Sequence, residues 1–213
     1  MSSRYALTYY DPPADLARHS LALFHFASDA AEISDRHPGA LPQLTLFPYG
    51  SGEMHFDTGT QVVSGEAHML SGFSKAVPYT MTGPWHAIGI SLSHLGWAAL
   101  TGEPVSQWID RFIDPRDILG ADVMDFAQET NAAYRAGTLS GAQACQRLAE
   151  WIAPRFGVVP PSHETLIDQT IAWFGGSMNP DIDDLFPRLA YSRRQAERLV
   201  ERYFGYPPAA LAR

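Results

Sequence analysis

The sequence predicts an α+β chain: an N-terminal β-barrel or sandwich with trailing helices, followed by a small all-α helix-turn-helix subdomain. Three observations predict it. Short apolar stretches punctuated by Gly, Pro, Ser and Asp fill roughly the first 105 residues, with turn signals near the spacing of about 8–12 residues typical of sandwiches and barrels. From Pro104 onward apolar residues recur at three- and four-residue intervals, the period of amphipathic helices. Arginines then crowd the last stretch of an otherwise acidic chain.

The β-rich part is read from LPQLTLFPY (41–49), EMHFDTG (53–59), TQVVSG (60–65), HMLSGF (68–73) and HAIGISLS (86–93). Gly-Ser-Gly at 50–52 and Thr-Gly-Thr at 58–60 are expected hairpin turns, because glycine supplies positive φ. The earlier segment ADLARHSLALFHFASD (14–29) fits helix or strand equally, since short apolar runs do not settle the period. Helices are expected in 106–120, 121–137 and 140–156, the last two ending at Gly137 and Gly157. GVVPPSHE has two prolines and no apolar period, which makes 157–163 the expected linker between a body of residues 1–156 and a terminal unit of 164–213. That unit is expected to hold helices over about 164–174, 182–189 and from Ser192 to Gly205, with Ser192 and Gln195 fitting a capping box.

Composition narrows the function. Of 213 residues, 46% are apolar, 12% aromatic and 18% charged, enough to build a packed core. No apolar run approaches the roughly 20 residues that span a bilayer, and the N-terminus lacks a signal-peptide stretch, so no membrane partner and a cytoplasmic location are expected. The single cysteine, Cys145, excludes an intrachain disulfide and a Cys-clustered zinc site. Net charge is −8, yet residues 188–213 hold six arginines against Glu197 and Glu201, or +4, so the other 187 residues carry −12. An acidic body with a basic terminal segment points to an interaction surface at that end.

The terminal helix carries the argument. Ala196, Leu199, Val200 and Tyr203 fall at i, i+3, i+4 and i+7, a stripe to be buried; Arg194, Arg198 and Arg202 fall at i, i+4 and i+8, a stripe roughly opposite. A short helix, a three-residue turn (Ala190-Tyr191-Ser192) and an arginine-striped helix form the plan of a helix-turn-helix, whose second helix enters the DNA major groove. Arginine donates two hydrogen bonds to guanine and displaces counterions from phosphates.

Over residues 181–213 the sequence resembles the first helix-turn-helix of AraC/XylS-type transcriptional regulators: a Leu-bearing short helix, a Ser cap, an Arg-rich helix, an aromatic before glycine, and a tail of Gly205, Pro208, Leu211 and Arg213. Residues 5–155 resemble, more loosely, the effector-sensing half of such regulators, which implies a cupin-like barrel. The resemblance implies a DNA-binding transcription factor whose partners are double-stranded DNA and a small-molecule effector. Base contacts would fall on Arg194, Glu197 and Arg198, and phosphate contacts on Arg193 and Arg202. The chain departs from the pattern at Pro187, inside the short helix, and at Phe186, where such domains have a small residue. Regulators of this type carry two such units; with the first alone, this polypeptide is expected to bind a specific site weakly.

An effector site inside the barrel is expected to draw on Phe47, Tyr49, His55, His68, Tyr79 and Trp85, with Phe24, Phe26, Phe56 and Trp97 as further aromatic lining. The competing reading is that these rings only fill the core. Glu53, His55 and Asp57 share a strand face, and His68 and His86 lie on later strands, a pattern that raises a metal; no H-x-H motif occurs, so neither metal nor cofactor is expected. No G-x-S-x-G, G-x-G-x-x-G or Walker A pattern appears, and Cys145 sits on an amphipathic helix, so no enzyme is expected. Trp108 and Trp151 are the interface candidates should the chain form a homodimer. The alternative is a stand-alone small-molecule-binding or protein-interaction module whose terminal helices make only protein contacts.

Overall fold

The structure, a computed structural model, describes residues 5–39, 41–63 and 65–212. Arg213, the last residue of the tail pattern, lies outside them. Seven strands form one sheet, antiparallel throughout and open: β1 (Ala6–Tyr10), β2 (Ser20–Ser28), β3 (Glu32–His37), β4 (Gln43–Phe56), β5 (Gly59–Val63), β6 (Ala67–Leu70) and β7 (Val77–Leu92). Their order is β1-β2-β7-β4-β5, with β3 added to β7 and β6 to β4. The long β4 and β7 are the spine, each pairing different neighbours along its two halves. Strand alternation divides β7 cleanly. Tyr79, Met81, Trp85, Ala87 and Ser91 line a cavity, while Ile88, Ile90 and Leu92 face the helices.

Most predicted strands are present, and the ambiguous segment resolves into a 3-10 turn at Ala14–Leu16 followed by β2. The β4–β5 hairpin turns one residue earlier than Thr58-Gly59-Thr60, at Asp57-Thr58, with Phe56 paired to Gly59 at φ 133°. Gly-Ser-Gly at 50–52 does not turn; it lies inside β4, beside two register shifts against β7, and Gly50 takes φ 93° there. The expected hairpin is a β-bulge, which bends a strand without ending it.

Helix α1 (His94–Thr101) stands where the sequence reads as β-rich. Its ends are well marked: Ser93 Oγ accepts the Gly96 N–H at 2.9 Å, and Gly102 closes it at φ 67°. Its apolar residues are spread around the helix, because both sides are covered, and no period survives to be read. Gly96 lies so near the backbone of His19 that a Cβ would sit 1.8 Å from its carbonyl oxygen.

The expected helix over 106–120 is mostly absent. A 3-10 turn at Val105–Gln107 and the short α2 (Arg116–Leu119) replace it. Between them Asp110 takes φ 59° and Ile113 pairs with Met69. Asp-Pro at 114–115 explains the break: proline disfavours helix in the residue before it, and Asp114 accepts the Arg116 N–H.

Helices α3 (Asp122–Arg135) and α4 (Gly141–Ile152) match their predicted segments. They pack on the outer face of the sheet around a core of Leu44, Leu46, Ile88, Ile90, Val123 and Leu148, all nearly inaccessible. Trp108 and Trp151 are half-buried against this core, and Trp151 is covered by Arg155, whose guanidinium lies 3.6 Å from the ring centroid.

The terminal helices are α5 (Pro161–Gly175), α6 (Arg193–Phe204) and the short α7 (Pro208–Leu211). α5 starts with Pro161 at its first position, so residues 161–163 of the expected linker are helical. Residues 182–189 are not the expected helix but two 3-10 turns, Ile182–Asp184 and Phe186–Arg188. Pro187 accounts for this, since an interior proline costs an α-helix about 3 kcal/mol. A second core joins the terminal helices to α1: Leu95, Ala98 and Ala99 pack with Leu166, Ile167, Leu185, Ala196 and Val200.

Candidate functional site

Helix α6 displays its arginines as its pattern requires. Ala196, Leu199, Val200 and Tyr203 are buried, together with Phe204. Gln195 Oε1 accepts from the Ser192 hydroxyl at 2.8 Å and from its backbone N–H at 3.4 Å, and Gly205 ends the helix at φ 83°. Arg194 and Arg198 are exposed, and among the described residues neither meets a carboxylate or any other partner. Arg193 is exposed as well, but it reaches Asp183 at 3.5 Å and Glu197 at 3.4 Å and lies over Phe186 at 4.4 Å. Phe186, an outlier in the sequence pattern, is thus a platform for that guanidinium. Such exposed pairs are weak, roughly 0–1 kcal/mol, and exchange readily for other anions.

The C-terminal half of α6 is tied down. Arg202 donates to Gly102 O at 2.6 Å, at the end of α1. His94 of α1 packs against Phe204 with ring centroids 4.2 Å apart, and its Nδ1 donates to Tyr203 O at 3.1 Å. The Tyr203 hydroxyl meets His163 Nδ1 of α5 at 2.7 Å. Arg18 holds α5 from the body side, 2.8 Å from Glu164 and 3.5 Å from Asp168. The five residues singled out for DNA therefore split: Arg193, Arg194, Glu197 and Arg198 share an open surface, and Arg202 does not.

Inside the sheet lies a cavity of about 400 Å³. Phe47, His68, Tyr79 and Trp85 line it, with Phe24 and Phe26 beside them. Tyr49 and His55 do not. Both misassignments have one cause. Phe47, Tyr49 and His55 are all odd-numbered, so unbroken alternation puts them on one face; the register shift between Leu46 and Tyr49 inserts one residue and inverts the order. Beyond it Met54 faces the cavity and Phe56 the adjoining core, while Glu53, His55 and Asp57 face solvent. His55 Nδ1 meets Thr60 Oγ1 at 3.1 Å. Trp97, expected as lining, is wholly buried in the helix-facing core.

Tyr49 belongs instead to a cluster under α3. The Tyr134 hydroxyl lies 2.7 Å from His25 Nε2 and 2.7 Å from His86 Nδ1, and Tyr49 packs edge-on against both His86 and Tyr134. A phenol donates one proton and accepts others, so it donates to one imidazole and accepts N–H from the second. Burial holds both histidines below their usual range, and burial likewise raises Tyr134. Tyr134→Phe is expected to leave two ring nitrogens unsatisfied and cost about 1–3 kcal/mol; a thermal midpoint equal to that of the unaltered protein would refute this.

Those histidines do not converge with His55 or His68, and no group of three or more His, Cys, Asp or Glu side chains among the described residues could hold a metal ion. Cys145 is buried, its Sγ 3.3 Å from Phe24 O, and burial pushes its thiol up to about 12. Nucleophilic chemistry needs the thiolate, which this position suppresses. No helix among the described residues is long and apolar enough to cross a membrane.

No family model matches the chain, and no curated protein matches it in sequence. Solved structures similar to it include the AraC-like transcriptional activator CuxR, at 11% identity and TM-score 0.39 over 93% of this chain and 80% of that one. An apo ToxT variant from Vibrio cholerae is similar at 7% identity and TM-score 0.43, over 99% of this chain and 79% of its own. A cupin_2 domain of an XRE family transcriptional regulator from Enterobacter cloacae covers 42% of this chain and 96% of its own length, at 14% identity and TM-score 0.29.

Proposed function

We propose that the chain is a DNA-binding transcriptional regulator whose body, residues 1–156, senses a small molecule in the sheet cavity and whose unit 164–213 reads double-stranded DNA. The observation that carries this is the free guanidinium pair of Arg194 and Arg198, exposed one helical turn apart on the face of α6 opposite its buried stripe. Here Arg193 takes Glu197 and Asp183, and the other two are left open. On this reading Arg194, Glu197 and Arg198 meet base edges and Arg193 meets phosphate. Arg202 joins them only by giving up Gly102 O.

Titration of a labelled mixed-sequence duplex by fluorescence anisotropy tests the reading. Affinity is expected to fall roughly tenfold or more between about 50 and 200 mM salt, as two or three phosphate contacts require. The double variant R194A/R198A should lose most of the binding at low salt while unfolding at the same temperature. No binding to duplex at about 50 mM salt, or binding indifferent to salt, would leave the terminal helices as a protein-contact surface.

A further inference from the structure

Four large apolar side chains stand exposed together at one end of the sheet: Tyr5 at 48%, Leu7 at 42%, Tyr9 at 64% and Leu21 at 53%. Tyr5, Leu7 and Tyr9 alternate along β1 and its approach, on the face toward the cavity, which they line with Leu21. Ala6, Thr8 and Tyr10 share the opposite face. β1 stands last in the strand order and pairs with β2 alone among the described residues. One row of its backbone N–H and C=O groups therefore faces outward, the template on which another strand can add.

Sheet edges are ordinarily guarded by charge, proline or a bulge. β3 carries Glu32, Asp35 and Arg36, and β6 is partly covered by Ile113, which bridges to Met69. β5 opens on a glycine and exposes one large apolar side chain, Val62. β1 reads Ala-Leu-Thr-Tyr-Tyr, with no charge, proline or glycine, and its register to β2 is unbroken from Ala6 to Tyr10. Whatever covers this edge must bring a strand for the hydrogen bonds and apolar groups for Leu7 and Tyr9. A second copy of β1 brings both. Antiparallel pairing about a twofold axis at Thr8 sets Leu7 opposite the second copy's Tyr9, Tyr9 opposite its Leu7, and Thr8 opposite its Thr8. Thr–Thr is a favourable cross-strand pair, Leu against Tyr takes apolar area out of water, and no like charges meet.

We propose that two copies of this chain pair antiparallel through β1, joining their sheets edge to edge, so that Leu7 and Tyr9 of each copy extend the cavity wall of the other. Such an interface is isologous: the same surface serves both copies and closes on itself. The inference goes beyond the reading of the chain as a DNA-binding regulator and is tested without DNA or ligand. A contact between five-residue strands is small, and small interfaces are weak and reversible, so dissociation is expected at roughly 1–100 µM.

Sedimentation velocity on the full chain from about 1 to about 300 µM should show monomer passing to dimer. Thr8→Lys and Thr8→Glu each set like charges opposite one another across the twofold axis, and each is expected to weaken self-association about tenfold or more. Mixed in equal amounts, the two variants should associate again, because opposite charges then face each other. Thr8 is exposed, so the unfolding midpoints should match that of the unaltered protein. Tyr9→Lys, at a side chain 64% exposed, stands in should either Thr8 variant fail to fold, and should weaken association likewise. A chain that stays monomeric throughout the range overturns the proposal. So does a dimer that Thr8→Lys, Thr8→Glu and Tyr9→Lys leave intact. Charged variants that dissociate alone and fail to associate when mixed overturn the twofold pairing at Thr8.

Discussion

Replacing Trp97 with alanine is expected to destabilise the protein by about 3–5 kcal/mol, the range for truncating a buried large aromatic. The side chain is wholly inaccessible, and its Nε1–H donates to Glu103 O at 3.0 Å. Its removal opens a void in the helix-facing core and frees an acceptor at the C-terminal end of α1. That end also anchors Arg202 through Gly102 O and meets Gly157, whose N–H donates to Ala99 O at 2.7 Å. The damage should therefore reach the terminal unit. Urea unfolding followed by both circular dichroism and fluorescence checks this. Val158→Ala, at a position 96% exposed, is the control and should change stability by less than about 0.5 kcal/mol. A loss below about 1 kcal/mol for Trp97→Ala would mean that the helix-facing core does not depend on α1.

Acidification should have the second large effect, through His94. Burial between α1 and α6 lowers its pKa from the usual 6.5 to about 4, against the smaller opposing influence of its hydrogen bond to Tyr203 O. Above pH 6.5 the ring is neutral in both folded and unfolded chains, and the stability is fully present. Below it the unfolded chain takes up a proton that the folded one refuses, so stability falls by about 1.4 kcal/mol per pH unit until the folded ring titrates near 4, a loss of about 3 kcal/mol. His19, His25, His37 and His86, whose values are also lowered chiefly by burial, add to the same trend. Comparing the protein with His94→Gln by denaturant unfolding at about pH 7.5 and about pH 4.5 isolates the residue: the variant starts less stable but loses about 3 kcal/mol less on acidification. Equal losses in the two proteins would show that His94 does not carry the effect.

Legibility in the sequence followed how local the determining physics is. The α6 boundaries, its buried stripe and the free Arg194 and Arg198 were all readable, because caps and a 3.6-residue period are encoded within a dozen positions. The same holds for α3 and α4. What was missed depended on distant neighbours. Helix α1 lost its period because two cores cover it. Strand β3, with Ser34, Asp35 and Arg36 exposed, has no apolar run to announce it and exists because β7 supplies its hydrogen bonds. Phe47, His68, Tyr79 and Trp85 line the cavity, whereas Tyr49 and His55 are turned away from it by a bulge. Pro48 and Gly50 mark its neighbourhood, and they were the available signal. The Tyr134–His25–His86 cluster joins Tyr134 to residues 109 and 48 positions away and had none.

Because Trp97 and Leu100 serve one core while Leu95, Ala98 and Ala99 serve the other, α1 cannot be assigned to either half of the chain. Grafting the terminal helices onto a different body would strip the underside of α5 and α6 of its matching surface. Giving the body a foreign terminal segment would expose the outer side of α1. The terminal helices and the sheet with its own helices are a matched pair rather than interchangeable parts, because α1 gives apolar residues to both cores.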